Sequence, residues 1–204
     1  MSPAKIFACL VLALSTTTVA AAEKNLEPAV TALKQGDAPG AVKYLLPMAK
    51  AGNAEAQFML VSALQGIDQK LASSWLLKAA RNRHPSACHI LGLMYLHGNG
   101  VAEDPQQARK WLTVAAEGGI VPAQLQLGML YRNGPNSIQD DREAAKWVGK
   151  AAVAGDAEAQ YQLAAMYRFA YGVNADAGAR RSWLERAAKQ AHVKALQELA
   201  ELSR

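Results

Sequence analysis

The 204-residue sequence is poor in several things. Two cysteines cannot build a disulfide-stapled scaffold. Isoleucine and valine number 5 and 12, against 42 alanines and 24 leucines, which excludes a body built on sheets. Charged residues are 19% of the chain and hydrophobic ones 51%, so it is not a disordered tail. Acidic residues fall short of basic ones by 17 to 22, a mild imbalance. No apolar run approaches the roughly 20 residues of a membrane-spanning helix. What is left is one nearly all-α body.

The start of the chain reads as a targeting segment. Lys5 precedes nine apolar residues, 6–14, and a small-residue site follows at Ala20-Ala21-Ala22. Nine helical residues reach about 14 Å, short of a hydrocarbon core of roughly 30 Å. Residues 1–22 are therefore expected to be a cleaved signal peptide, and the mature protein is expected in the periplasm, with secretion as second choice. Cys9 lies inside the apolar run, where lipoprotein cleavage would leave too little for export. Loss of Lys5 and Cys9 leaves one cysteine, Cys88, and a mature charge of 21 − 17 = +4.

The remainder is periodic. Trp75, Trp111, Trp147 and Trp183 are spaced by 36, and Tyr44 takes the same place 31 residues before Trp75. Seven residues before each lies an aspartate: Asp37, Asp68, Asp104, Asp140 and Asp176. Twelve after each lies an alanine, at 56, 87, 123, 159 and 195, and four beyond that a leucine, at 60, 91, 127, 163 and 199. Each unit reads as two helices. The first begins at the alanine column, with an apolar stripe such as Ala87, Leu91, Met94, Tyr95. The second opens on the aspartate as N-cap, once with proline behind it at Asp104-Pro105, and ends at a glycine such as Gly119. Arg83 and Ala191 break that glycine column. Gly92 and Gly128, with Ala164 and Ala200 in the same column, mark a close approach of two helices. The tryptophans and Tyr44 are expected to fill the core between hairpins.

These patterns predict an all-α fold of stacked antiparallel helix pairs forming one domain over residues 23–204. Its parts are a half-unit at 25–52, repeats near 53–83, 84–119, 120–155 and 156–191, and a capping helix at 192–202.

The segments Pro122-Ala123-Gln124-Leu125-Gln126-Leu127-Gly128-Met129-Leu130-Tyr131 and 108–119 resemble the Sel-1-like repeat, a relative of the tetratricopeptide repeat. Gly98-Asn99-Gly100-Val101 before Asp104 is similar to the family's glycine-rich turn. The resemblance covers about residues 37–202. Val61 and Leu64 replace the glycine and tyrosine of the first unit, and Ala164 the glycine of the last. The resemblance implies a right-handed α-solenoid that serves as a non-catalytic scaffold and binds another protein. Some exported members are similar to immunity proteins that neutralise type VI secretion phospholipase effectors; the partner is then a secreted effector. Others imply an envelope-assembly or signalling adaptor with an envelope protein as partner. A cysteine-rich branch resembles penicillin-binding or β-lactamase-like proteins; its paired cysteines are not in this sequence, and such an enzyme stands as the remaining alternative.

Columns that vary on an otherwise constant helix are where a partner is to be read. Offsets +2, +6 and +9 of the first helix avoid the core stripe. They place Phe58, His89, Leu93, Leu96, Leu125, Met129, Arg132, Tyr161 and Arg168 on the expected concave wall, a row rich in the residue types that anchor interfaces. Packing against neighbouring helices is the competing reading of each.

Catalytic, metal and cofactor sites are not expected. His84, His89 and His97 do not share one helical face, as a metal site would require. Cys88 stands in the column of Gln57, Gln124 and Gln160 and reads as an inert buried thiol. The paired acids Glu103-Asp104 and Asp140-Asp141 serve helix starts. Basic residues gather at Arg180, Arg181, Arg186, Lys189 and Lys194, but a charge near +4 on an exported chain does not point to nucleic acid.

Overall fold

The computed structural model describes residues 26–203. The expected signal peptide, residues 1–22, lies outside the described residues. Among those described there are eleven α-helices and no strand, so the fold class is all-α. In chain order they are α1 (Glu27–Lys34), α2 (Ala38–Lys50), α3 (Ala54–Leu64), α4 (Gln69–Arg81), α5 (Pro85–His97), α6 (Pro105–Glu117), α7 (Val121–Asn133), α8 (Asp141–Val153), α9 (Ala157–Phe169), α10 (Ala177–Lys189) and α11 (Val193–Leu202). The chain divides into two compact units, Met1–Ala87 and Cys88–Arg204.

In the first unit α1, α2, α3 and α4 pack each against the next. Their common core is Ala29, Ala32, Ala41, Val42, Leu45, Met48, Ala49, Ala56, Leu60, Ala63, Leu64, Ala72 and Trp75. In the second unit α6 to α11 pack in the same sequential way. One cluster there gathers Ala144, Val148, Ala151, Ala159, Leu163 and Met166, and another Ala164, Leu184, Ala187 and Ala195. Trp183 packs against both, so it ties α8–α9 to α10–α11.

The helix starts follow from their caps. The carboxylates of Asp37, Asp68, Asp104, Asp140 and Asp176 accept from backbone N–H groups of the first turns of α2, α4, α6, α8 and α10. An N-cap oxygen satisfies donors that the helix cannot, typically contributing about 1 kcal/mol. The first helices of the repeats begin two residues ahead of the alanine column, and their caps form a second column of mixed chemistry. Asn53 accepts from the Ala56 N–H at 2.8 Å and Asp156 from the Ala159 N–H at 2.7 Å. The Nδ1 atoms of His84 and His192 accept from Ala87 and Ala195, both at 3.3 Å. Ile120, in the same column, gives α7 no side-chain cap.

The helix ends turn through left-handed residues. Gly52, Gly119 and Gly155 have φ of +96°, +84° and +101°. Arg83 and Ala191 break the glycine column in sequence but not in conformation, with φ of +61° and +59°. A Cβ makes that region unfavourable for an L-residue, and the tertiary structure imposes it nonetheless.

The close approaches are real. A Cβ on Gly92 would stand 2.8 Å from Leu112 Cγ, and one on Gly128 2.6 Å from Val148 Cγ2 and 3.0 Å from Val148 N. Trp75 and Trp147 are buried, whereas Trp111 and Trp183 are half-buried. Tyr44 departs from its column: it is 49% exposed, so a core role does not extend to it. Leu45 and Met48 fill the core beside it in α2 instead.

Candidate protein-binding face

Three repeat junctions are built around a buried glutamine one residue after the alanine column, where the second repeat has Cys88 instead. The side-chain Nε2 of Gln57, Gln124 and Gln160 donates to the carbonyls of Ala49, Ala116 and Ala152, at 2.9, 3.1 and 3.1 Å. These carbonyls end the preceding helix, where α-helical partners run out. Two of the junctions are closed further. Asn82 Nδ2 donates to Gln57 Oε1 at 2.9 Å and to the Gly52 carbonyl at 3.2 Å. Gln190 Nε2 does the same to Gln160 Oε1 at 3.0 Å and the Gly155 carbonyl at 2.9 Å.

The same two junctions carry a histidine stack. The His84 ring lies on Phe58 with centroids 4.4 Å apart, and His192 on Tyr161 at 4.8 Å. Because each Nδ1 accepts from a backbone N–H, the ring proton is assigned to Nε2, which donates to Glu55 at 2.9 Å and to Glu158 at 3.0 Å. Burial raises the Glu158 carboxyl, but hydrogen bonds from Gln162 and His192 and the nearby Lys194 ammonium outweigh it and hold the group below the ordinary carboxylate range.

The expected partner-binding residues fall into three groups. Phe58, in the first unit, and Tyr161, in the second, are half-buried and engaged with the next repeat's histidine cap. In the second unit Leu125 is half-buried against the Ala144–Met166 cluster, and Leu93, Leu96 and Met129 keep part of their surface exposed. His89 is half-buried with Nε2 enclosed and unpartnered, and burial pushes its pKa below the ordinary 6.5, so the ring is neutral. Arg132 and Arg168 form the third group.

Their guanidinium groups are held over rings that sequence reasoning missed. Arg132 Cζ lies 4.8 Å from the Tyr171 ring centroid and Arg168 Cζ 4.9 Å from that of Phe169. The two rings are 5.7 Å apart, and Phe169 and Tyr171 are 52% and 37% exposed. Arg132 also donates to Gln162 Oε1 at 3.1 Å, and Arg168 to Glu198 at 3.1 Å, a carboxylate shared with Arg180. The turn carrying the rings is set by Ala170, left-handed at φ +58°, and by Gly172, which lies so close to the Asp141 backbone that no Cβ fits. A signal for the rings was present in the sequence. At the positions of Phe169 and Tyr171 the other full-length repeats have His97 and Asn99, and Asn133 and Pro135.

Among the described residues no group of three or more His, Cys, Asp or Glu is placed to hold a metal ion. No helix there is long and apolar enough to cross a membrane. Cys88 is a buried thiol and takes part in no disulfide among the described residues.

Hairpins that repeat at 36 residues, cap alike and pack sequentially define a helical-repeat protein. The Sel1 repeat model matches residues 63–84, 85–120, 121–156 and 157–192, and the chain belongs to the Sel1 repeat family, whose solenoid fold it shares. Such repeats typically mediate protein binding. Two solved structures resemble it well. A Sel1 repeat protein from Oxalobacter formigenes is 38% identical with a TM-score of 0.69, over 80% of this chain and 49% of that one. A protective antigen present in uropathogenic Escherichia coli strains, displaying an SLR fold, is 29% identical with a TM-score of 0.68, over 82% and 41%. The chain thus spans less than half the length of either. An immunity protein from Pseudomonas aeruginosa matches at 16% identity and a TM-score of 0.42, over 82% of this chain and 83% of that one, too remote to carry an argument. No curated protein matches significantly.

Proposed function

We propose that the chain is a non-catalytic scaffold that captures another protein on the first-helix face of residues 88–203. The observation that carries this reading is the stacking of Arg132 and Arg168 on the exposed rings of Tyr171 and Phe169, in the unit that also carries the half-buried apolar residues Leu93, Leu96, Leu125 and Met129. Aromatic and arginine side chains dominate interface energetics. Cations already held over rings have less rotamer freedom to lose on binding. The partner we favour is a secreted effector of the phospholipase type, neutralised in the periplasm by the chain acting as an immunity protein. That choice rests on the resemblance to exported family members and on a local excess of arginine, with two guanidinium groups, those of Arg168 and Arg180, on the single carboxylate of Glu198 and a third, that of Arg132, bonded to the neutral Gln162.

The test is affinity capture from periplasmic extract with mass spectrometry. Wild type is expected to recover a lipase-type effector, and the double variant Phe169→Asp, Tyr171→Asp to lose it at an unchanged melting temperature. Recovery of polysaccharide- or flagellum-assembly proteins instead would make the chain an envelope adaptor. Undiminished capture by the double variant would remove this face from the mechanism.

A further inference from the structure

The third repeat, α7 and α8, leaves open what the first and last repeats close. Gln124 is 8% exposed and bound through Nε2 to Ala116 as its counterparts are, yet its Oε1 is buried without a hydrogen-bond partner. The residue that should donate, equivalent to Asn82 and Gln190, is Ala154. A second position is stripped in the same repeat. Where the other repeats have Leu77, Thr113 and Glu185, this one has Gly149, and a Cβ there would meet nothing within 4 Å. Glycine inside a helix with free space beside it weakens the helix, and no packing demand here calls for it. The two truncations open a cleft of about 510 Å³, lined by Gly119, Val121, Gln124, Gly149, Lys150, Val153 and Ala154.

We propose that this cleft receives a side-chain carboxamide, an asparagine or glutamine presented by a partner protein. The molecule itself inserts such a group at the equivalent place in two other repeats. An N–H donor is needed to satisfy Gln124 Oε1, as Gln190 satisfies Gln160. Lys150, whose ammonium lies 4.0 Å from the Trp147 ring centroid, disfavours an incoming ammonium or guanidinium and can donate to a carbonyl. A carboxylate offers Lys150 an acceptor but brings Gln124 no donor. A primary amide serves both through separate atoms, its N–H towards Gln124 and its carbonyl towards Lys150, as the Asn82 and Gln190 amides serve the equivalent glutamines, and Val121 and Val153 flank its methylenes. The site uses none of the residues of the first-helix face, so it stands or falls apart from it.

The experiment titrates the full chain with propionamide, the glutamine side-chain analogue, while NMR follows the Gln124 side-chain amide and the Ala154 methyl. Saturable shifts are expected for propionamide and not for propionate or propylammonium. Ala154→Gln, which supplies the missing amide within the chain, and Gly149→Leu, which fills the cleft, should each weaken propionamide binding at least tenfold while leaving the fold intact. The proposal is overturned if propionamide gives no saturable shift, if all three probes act alike, or if Ala154→Gln binds as wild type does.

Discussion

The third and last repeats share a length and most of their columns, yet they solve the same junction differently. In the last, Asp156 caps α9, and Gln160 is bonded on both sides through Ala152 and Gln190. In the third, Ile120 gives no cap and Gln124 is bonded on one side only. The roles reverse at the helix crossing, where Gly128 admits the α8 backbone and Ala164 fills the corresponding column. One repeat is closed by polar contacts at its end and the other by a tighter approach in its middle. Repeats in an array are stabilised by their own packing and by nearest neighbours, so each junction is free to drift on its own.

That contrast can be broken at several points. The largest effect is expected at the tryptophans: Trp147→Ala should cost about 3–5 kcal/mol because the ring is buried, and Trp183→Ala about half as much because it is half-buried. Equal losses in urea unfolding would erase the distinction. Next is Gly128→Ala, where the new Cβ meets both a side chain and the backbone of α8, with an expected loss of about 1–3 kcal/mol. A neutral outcome in the same assay would show that α8 yields. Gln190→Ala converts the last junction to the third repeat's state by orphaning Gln160 Oε1, and should cost about 1–2 kcal/mol. Ala191→Gly relieves a left-handed alanine and should raise stability by about 0.5–1 kcal/mol, with the melting temperature as readout; a drop would mean that the strain is absent.

The smallest effect sits in the column shared by His89 and Tyr161. His89 has its folded-state pKa below the ordinary 6.5, so the unfolded chain binds more protons in that range. Stability is therefore whole above pH 6.5 and declines as pH falls below it, and the partial exposure of the ring keeps the decline small. Melting curves of wild type and His89→Gln between pH 7.5 and 5.5 should converge towards the acid end; parallel curves would contradict the assignment.

Much of the fold was legible because it is written in repeated, chemically constant columns. The aspartate caps keep one residue type, and the tryptophan column and the small residues at helix crossings vary in only one or two units, so period alone exposes them. The caps of the first helices escaped because Asn53, His84, Ile120, Asp156 and His192 share a place but not a chemistry. Phe58 and Tyr161 looked like free binding residues, and their engagement with His84 and His192 depends on rings contributed from about 26 and 31 residues further along the chain. Phe169 and Tyr171 were passed over because they stand in a turn, where apolar periodicity carries no information.

The sequence by itself determined the helix pairs, their order, their second-helix caps and the family, since propensity, capping and a 36-residue period act locally and repeat. Only the tertiary structure decided which column members stay in the core, with Tyr44 left outside, and forced Arg83 and Ala191 into left-handed turns. It alone brought the Arg132 and Arg168 guanidinium groups over exposed rings and left Gln124 facing an open cleft. Those outcomes depend on which side chains from neighbouring repeats meet across a junction, and such meetings are settled by packing rather than by local preference.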